Sequence, residues 1–310
     1  MSETNVATSW RDRQILILLA LAATYFVWGS TYLGIRFALE GFPPFALNAV
    51  RFIGGGTLLY AWLRSRGAPV PTPAQWRNAA VSGAILLIGG VGLVTIAEDL
   101  GVGSGVAASA IAVMPLWSGM FGQWPVRLEW LGLALGFSGV ALLAQEGDFQ
   151  TTATGTLLVV VAPLFWAFGS VWSVRLNLPR NSMATAAQML TAGPMFVVLT
   201  LVFGESFDAA PSTKAWLSVA YLSLFGSVLA YSAYVFLLRT VRPTLATSYA
   251  YANPIVLGLT LGDETITGPA WIALPIILVG LAIVGYAQSA RARRRGEERR
   301  AAAHSPLPRR

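Results

Sequence analysis

The segment Tyr25–Arg36, YFVWGSTYLGIR, decides how the chain is read. It lies in the first long apolar run, yet aromatic side chains, a Gly29-Ser30-Thr31 triplet and Arg36 share it. About 140 residues later the chain says much the same again, as FWAFGSVWSVR over Phe165–Arg175. A polar, aromatic cluster written twice inside membrane spans predicts a repeat-built carrier with its site between the halves.

Composition sets the class. The chain has 310 residues, 55% hydrophobic and 11% charged, where a soluble domain carries about 25% charge. Mean hydropathy is +0.62. The chain therefore reads as an all-α polytopic membrane protein. There is no cysteine, which excludes disulfides, thiolate metal sites and cysteine nucleophiles. The one histidine, His304, lies in the arginine-rich tail, so no histidine relay or metal site is expected within the membrane. The net charge of +7 is not a nucleic-acid signature, because eight of the 21 basic residues lie beyond Gln288. Arg11 and Arg13 precede Ala20-Leu21-Ala22 in the manner of a signal peptide, but the apolar run continues past that point and reads as the first span.

A span needs about 20 mostly apolar residues. Ten are expected, over 15–37, 44–63, 78–98, 102–121, 130–145, 154–174, 183–203, 215–238, 244–262 and 270–288. With the N-terminus inside, every basic residue except Arg36, Arg51 and Lys214 falls on the inner side, so both termini are expected in the cytoplasm. Sliding the first half by about 140 residues brings Gly29-Ser30 onto Gly169-Ser170 and Trp76 onto Trp216, and Pro115 within one residue of Pro254. Five spans per half is an odd number, so the halves run in opposite directions. The expected organisation is a cytoplasmic segment over 1–14, repeats over 15–146 and 154–288, and a basic cytoplasmic tail over 289–310 that anchors to anionic lipid.

Ten spans in two five-span repeats, WGS in span one and a proline in spans four and nine resemble the drug/metabolite transporter superfamily. Within it the chain resembles the EamA-type exporters, close to the YddG-like aromatic amino-acid exporters. The resemblance covers 15–288 and implies a basket in which spans one, three, four, six, eight and nine line a central cavity, with five and ten behind. Members often carry a glycine–glutamate pair after spans four and nine. Here the second loop reads Gly262-Asp263-Glu264 but the first reads Gly122-Gln123-Trp124.

Candidate site residues follow from spacing. Tyr25, Trp28 and Tyr32, with Arg36 a turn further, share one face of a regular helix. They read either as an aromatic cavity wall or as interfacial packing. Ser30, Trp117, Trp166 and Ser170 are further candidate wall residues. Asn48 and Arg51 stand one turn apart in span two. An arginine at that depth costs about 2.5–3.5 kcal/mol on insertion scales and needs a partner. Arg51, and Arg36 likewise, is expected either to bind a substrate carboxylate or to pair with Glu98 or Asp99 as a tether. Ser227, Tyr231 and Tyr234 form a stripe in span eight, followed by Ser248, Tyr251 and Asn253 in span nine. These polar groups read either as handles for a substrate's amino and carboxylate ends or as bonds between helices.

No Walker motif and no nucleophile–base pair is present, so no enzymatic activity and no cofactor are expected. No acid lies near the centre of any expected span, which disfavours a proton-coupled pump for cationic drugs. The resemblance, with aromatic and small polar residues where the cavity should be, implies an inner-membrane exporter of amino acids, aromatic or large apolar ones first. The alternative is export of another small metabolite or an uncharged drug. Expected partners are the substrate and the lipid bilayer, with no obligate protein partner.

Overall fold

The computed structural model describes residues 10–111, 126–144, 152–207 and 209–260, with isolated positions between 114 and 124 and between 272 and 291. The Gly122-Gln123 pair, Pro115, the Gly262-Asp263-Glu264 loop and the tail beyond Arg291 lie outside the described residues. Every described element is helical. Five helices among them are long and apolar enough to cross a membrane: Asp12–Leu39, Pro73–Asp99, Ala153–Ser173, Ser182–Val202 and Thr213–Thr240. Pro44–Ser65 and Arg127–Ala144 add helices of 22 and 18 residues. Large apolar side chains point outward from these helices, among them Leu19, Phe26, Leu201, Val202 and Phe203. Such a belt is stable only against hydrocarbon.

Among the described residues, three spans widen into π-helix. Span one runs as α-helix over Trp10–Ala22, widens to a π-helix over Ala23–Val27 and resumes as α-helix over Trp28–Leu39. Span three does the same, with Pro73–Gly83, a π segment over Ala84–Gly92, then Leu93–Asp99. Span eight repeats that pattern as Thr213–Tyr221, Leu222–Tyr231 and Ser232–Thr240. Their starts match as well. The Thr72 hydroxyl accepts from the Gln75 amide, and the Ser212 hydroxyl accepts from the Ala215 amide, so each helix opens on an N-cap. Two spans about 140 residues apart thus share cap, α–π–α order and an opening tryptophan, Trp76 and Trp216.

Packing follows the same internal relation. Span two lies along its counterpart, span seven (Ser182–Val202), in the most extensive helix pair. Span three packs on span six (Ala153–Ser173) as span eight packs on span one. Span four (Ser104–Ala110) meets span nine (Tyr249–Thr260). Each half thus reaches across to the other by equivalent elements, as two copies about a twofold axis do. Small residues permit the approach: a Cβ on Gly193 would stand 2.6 Å from Cγ1 of Ile53. Span seven also caps span two, because the Glu205 carboxylate accepts from the Phe45 and Ala46 amides, both at 2.9 Å.

Two expected spans change shape. Span five starts at Arg127, because the Glu129 carboxylate, 1% exposed, accepts from the Val126 amide and holds the first turn. Span nine is broken: a short helix over Pro243–Ala246 precedes the main helix Tyr249–Thr260, and Thr247-Ser248 lies between them.

Candidate functional site

The π segments converge on the interior. In a π-turn the hydrogen bonds run from i to i+5, so the helix is wider and its faces shift from the α register. One cavity sits at that meeting point. It offers ≈ 70 Å³ to the centres of water-sized molecules, room for about five waters. Spans one, two, three, four, six, eight and nine all contribute to its wall.

The wall is aromatic on one side. The Trp28 ring meets Trp166 edge-on at 5.5 Å between centroids, Tyr249 edge-on at 4.6 Å and Tyr234 tilted at 5.0 Å. Trp166 in turn packs against Tyr231 at 6.0 Å. Each such pair adds about 0.5–1.5 kcal/mol beyond area burial, so the rings hold one another in place. Hydrogen bonds fix them further. The Trp28 indole N–H donates to the Gly226 carbonyl at 2.9 Å. The Tyr231 hydroxyl donates to Gln188 Oε1 at 2.7 Å, and Gln188 Nε2 donates to Ser82 Oγ at 2.8 Å.

The other side carries polar groups with spare capacity. Arg51, 4% exposed, donates from Nε to Ser227 Oγ at 2.8 Å, and its Nη1 has no hydrogen-bond partner. Asn253 is fully buried and interacts with the Tyr32 hydroxyl beside it. Both side chains line the cavity. Buried polar atoms are normally paired, so an unpaired one at a cavity wall has capacity left for a further hydrogen bond.

Of the residues singled out from the sequence, Trp28, Tyr32, Arg51, Trp166, Tyr231 and Asn253 stand in this wall. Tyr234 lies just behind it, its hydroxyl sharing a 2.6 Å hydrogen bond with Ser170 Oγ. The others lie elsewhere. Tyr25 falls within the π segment, so it does not follow Trp28 onto the wall; its hydroxyl shares a 2.6 Å hydrogen bond with Ser248 Oγ. Ser30 pairs with the Tyr221 hydroxyl at 2.5 Å. Asn48 donates to Thr95 Oγ1 at 3.0 Å. Trp117 packs against the core without lining the cavity. Tyr251 is buried toward span five, where a Cβ on Gly136 would come within 2.7 Å of its ring.

The expected tether is absent among the described residues. Arg51 reaches Ser227 rather than Glu98 or Asp99, and no acid comes within salt-bridge distance of it. Glu98 instead accepts from Ser104 Oγ at 3.1 Å; Arg36 is exposed and lies near enough to Glu98 for the charges to interact but not within salt-bridge distance, and Asp99 is exposed at the end of span three. Span two, which the resemblance left out of the cavity lining although Asn48 and Arg51 were candidates, supplies Arg51 and Phe52 to it. Tyr249, Thr31 and Met114 are wall residues the sequence reading missed. Tyr249 was within reach, because it stands four residues before Asn253 and so shares its helix face.

Two halves packed by equivalent helices around an aromatic and polar cavity fit a membrane carrier. Comparison with known proteins agrees. The EamA-like transporter family matches twice, over residues 14–145 and 153–286. The uncharacterized inner membrane transporter YedA of Escherichia coli strain K12 is 43% identical over 282 residues, covering 88% of this chain and 92% of that protein. An uncharacterized transporter of Archaeoglobus fulgidus is 27% identical over 76% of this chain and 85% of its own length. A solved crystal structure superposes with a TM-score of 0.71 over 88% of this chain and 98% of that one, at 20% identity, and so shares the fold. The chain belongs to the EamA-like transporter family. It is a ten-helix transporter built of two inverted five-helix repeats, not an enzyme.

Proposed function

We propose that the protein is an inner-membrane exporter of amino acids, aromatic or large apolar ones first, with both termini in the cytoplasm. The two inverted repeats rock about the cavity and open it to one side of the membrane at a time. The observation that carries the reading is the cluster of Trp28, Trp166, Tyr231 and Tyr249 around a cavity whose wall also holds the unpartnered Nη1 of Arg51. Flat rings stack on an apolar or aromatic side chain, while polar atoms beside them take up the zwitterionic end.

Uptake of a panel of radiolabelled amino acids into liposomes holding the purified protein tests this, with and without an imposed pH gradient. Uptake of phenylalanine, tryptophan and leucine well above glycine and serine is expected. Uptake that ignores the gradient would mark a facilitative carrier, and uptake that follows it an ion-coupled one. If no amino acid enters, the substrate is another small metabolite.

A further inference from the structure

Arg51 is a charge without a counter-charge. It is 4% exposed, deep in span two, and among the described residues no acid lies within salt-bridge distance. Its surroundings are arranged for the guanidinium rather than against it. Gly226 leaves the space it occupies, since a Cβ there would stand 3.2 Å from Nη2 and 3.0 Å from Cγ2 of Thr31. Ser227 accepts from Nε and fixes the plane of the group. That leaves Nη1 unpartnered at the cavity wall. A buried charge costs several kcal/mol unless it is paired, and a planar guanidinium pairs best with a planar carboxylate by two parallel hydrogen bonds.

We propose that Arg51 is the anchor for the substrate's carboxylate, so that the cavity requires a carboxylate on whatever it carries. This rests on the amino-acid reading above and sharpens it. Arg51 belongs to the first repeat and Ser227 to the π segment of span eight in the second. The carboxylate is therefore bound at the seam along which the halves move, and its arrival adds a contact at that seam.

The test compares ligands that differ only at this group. Exchange of radiolabelled phenylalanine by the wild-type protein in liposomes is competed with unlabelled phenylalanine, 3-phenylpropionate, phenylalaninamide and phenethylamine. The two carboxylates should compete at least tenfold better than the amide or the amine. The Arg51→Gln protein should lose that preference, and Arg51→Lys should keep part of it. Equal competition by phenylalaninamide and phenylalanine in the wild type overturns the proposal without any variant having to fold. If the wild type moves no amino acid, the amino-acid reading fails. The anchor is then decided by quenching of tryptophan emission, since Trp28 and Trp166 line the same cavity. Quenching by 3-phenylpropionate in the wild type and not in Arg51→Gln supports it, and no quenching in the wild type refutes it.

Discussion

Trp28 does two jobs at once. Its ring touches Trp166, Tyr234 and Tyr249, and its indole N–H satisfies the Gly226 carbonyl across the seam between the repeats. Removing the ring takes away a stacking surface worth about 1 kcal/mol and leaves a buried carbonyl unpaired, at a cost of about 1–3 kcal/mol. Trp28→Ala is predicted to lower phenylalanine uptake about tenfold and serine uptake much less. Trp28→Phe, which keeps a ring and loses only the N–H, should fall between. Equal losses for both substrates in Trp28→Ala would mark a general packing defect and contradict a stacking role. The sequence made this residue visible because few reasons exist to place tryptophan, glycine and serine together deep in an apolar run. Arg51 was equally visible, but its partner was not. A spacing rule relates residues on one helix, whereas the Arg51–Ser227 bond joins positions 176 residues apart.

At the scale of the element, the π segments decide which side chains enter the cavity. A regular helix would keep Tyr25 on the face of Trp28; the wider turns over Ala23–Val27 break that relation. In span eight they present Ser227 and Tyr231 to the wall and leave Tyr234 behind it. Local sequence does not announce such turns, because an apolar run satisfies either ladder and only tertiary packing selects the wide one. This is why the existence and rough bounds of these helices could be read in advance and the register of their inner faces could not. Span nine shows the same limit. Tyr251 and Asn253 are two residues apart and face different ways on a helix, while Tyr249 and Asn253 share a face.

Deleting Leu229, which points outward, should let the π segment of span eight tighten to α-helix while its flanks keep their places. The variant is predicted to insert and purify as a folded protein, with transport reduced at least tenfold because Ser227 and Tyr231 are re-aimed. Wild-type transport by that variant would show that the wide turns do not shape the site.

For the whole molecule, the internal symmetry supplies what the proposed alternation between two faces of a membrane requires. Span two on seven, three on six and eight on one are contacts that a rotation of one half onto the other exchanges or preserves. Inverted halves of similar structure have two equivalent ways of packing, each opening the cavity to one side. Polar links across the seam on the span-one side include Trp28 to Gly226, Arg51 to Ser227, Tyr25 to Ser248, Ser30 to Tyr221 and the exposed Lys214–Glu40 pair, and alternation would require them to break and reform. The repeat was legible from Trp76 and Trp216, each opening a span. The part played by span two was legible only in outline: Arg51 was a candidate on either of two readings, but that Phe52 joins it in the wall is read only once span seven is seen to lie along the other face.

Counterflow tests this most directly. Liposomes holding the purified protein are loaded with unlabelled phenylalanine and diluted into a trace of labelled phenylalanine. A carrier that exposes one site alternately should accumulate label transiently above the outside concentration and should do so faster than unloaded liposomes. Uptake that is indifferent to the loaded substrate, or that only equilibrates, would contradict alternating access about the aromatic cavity.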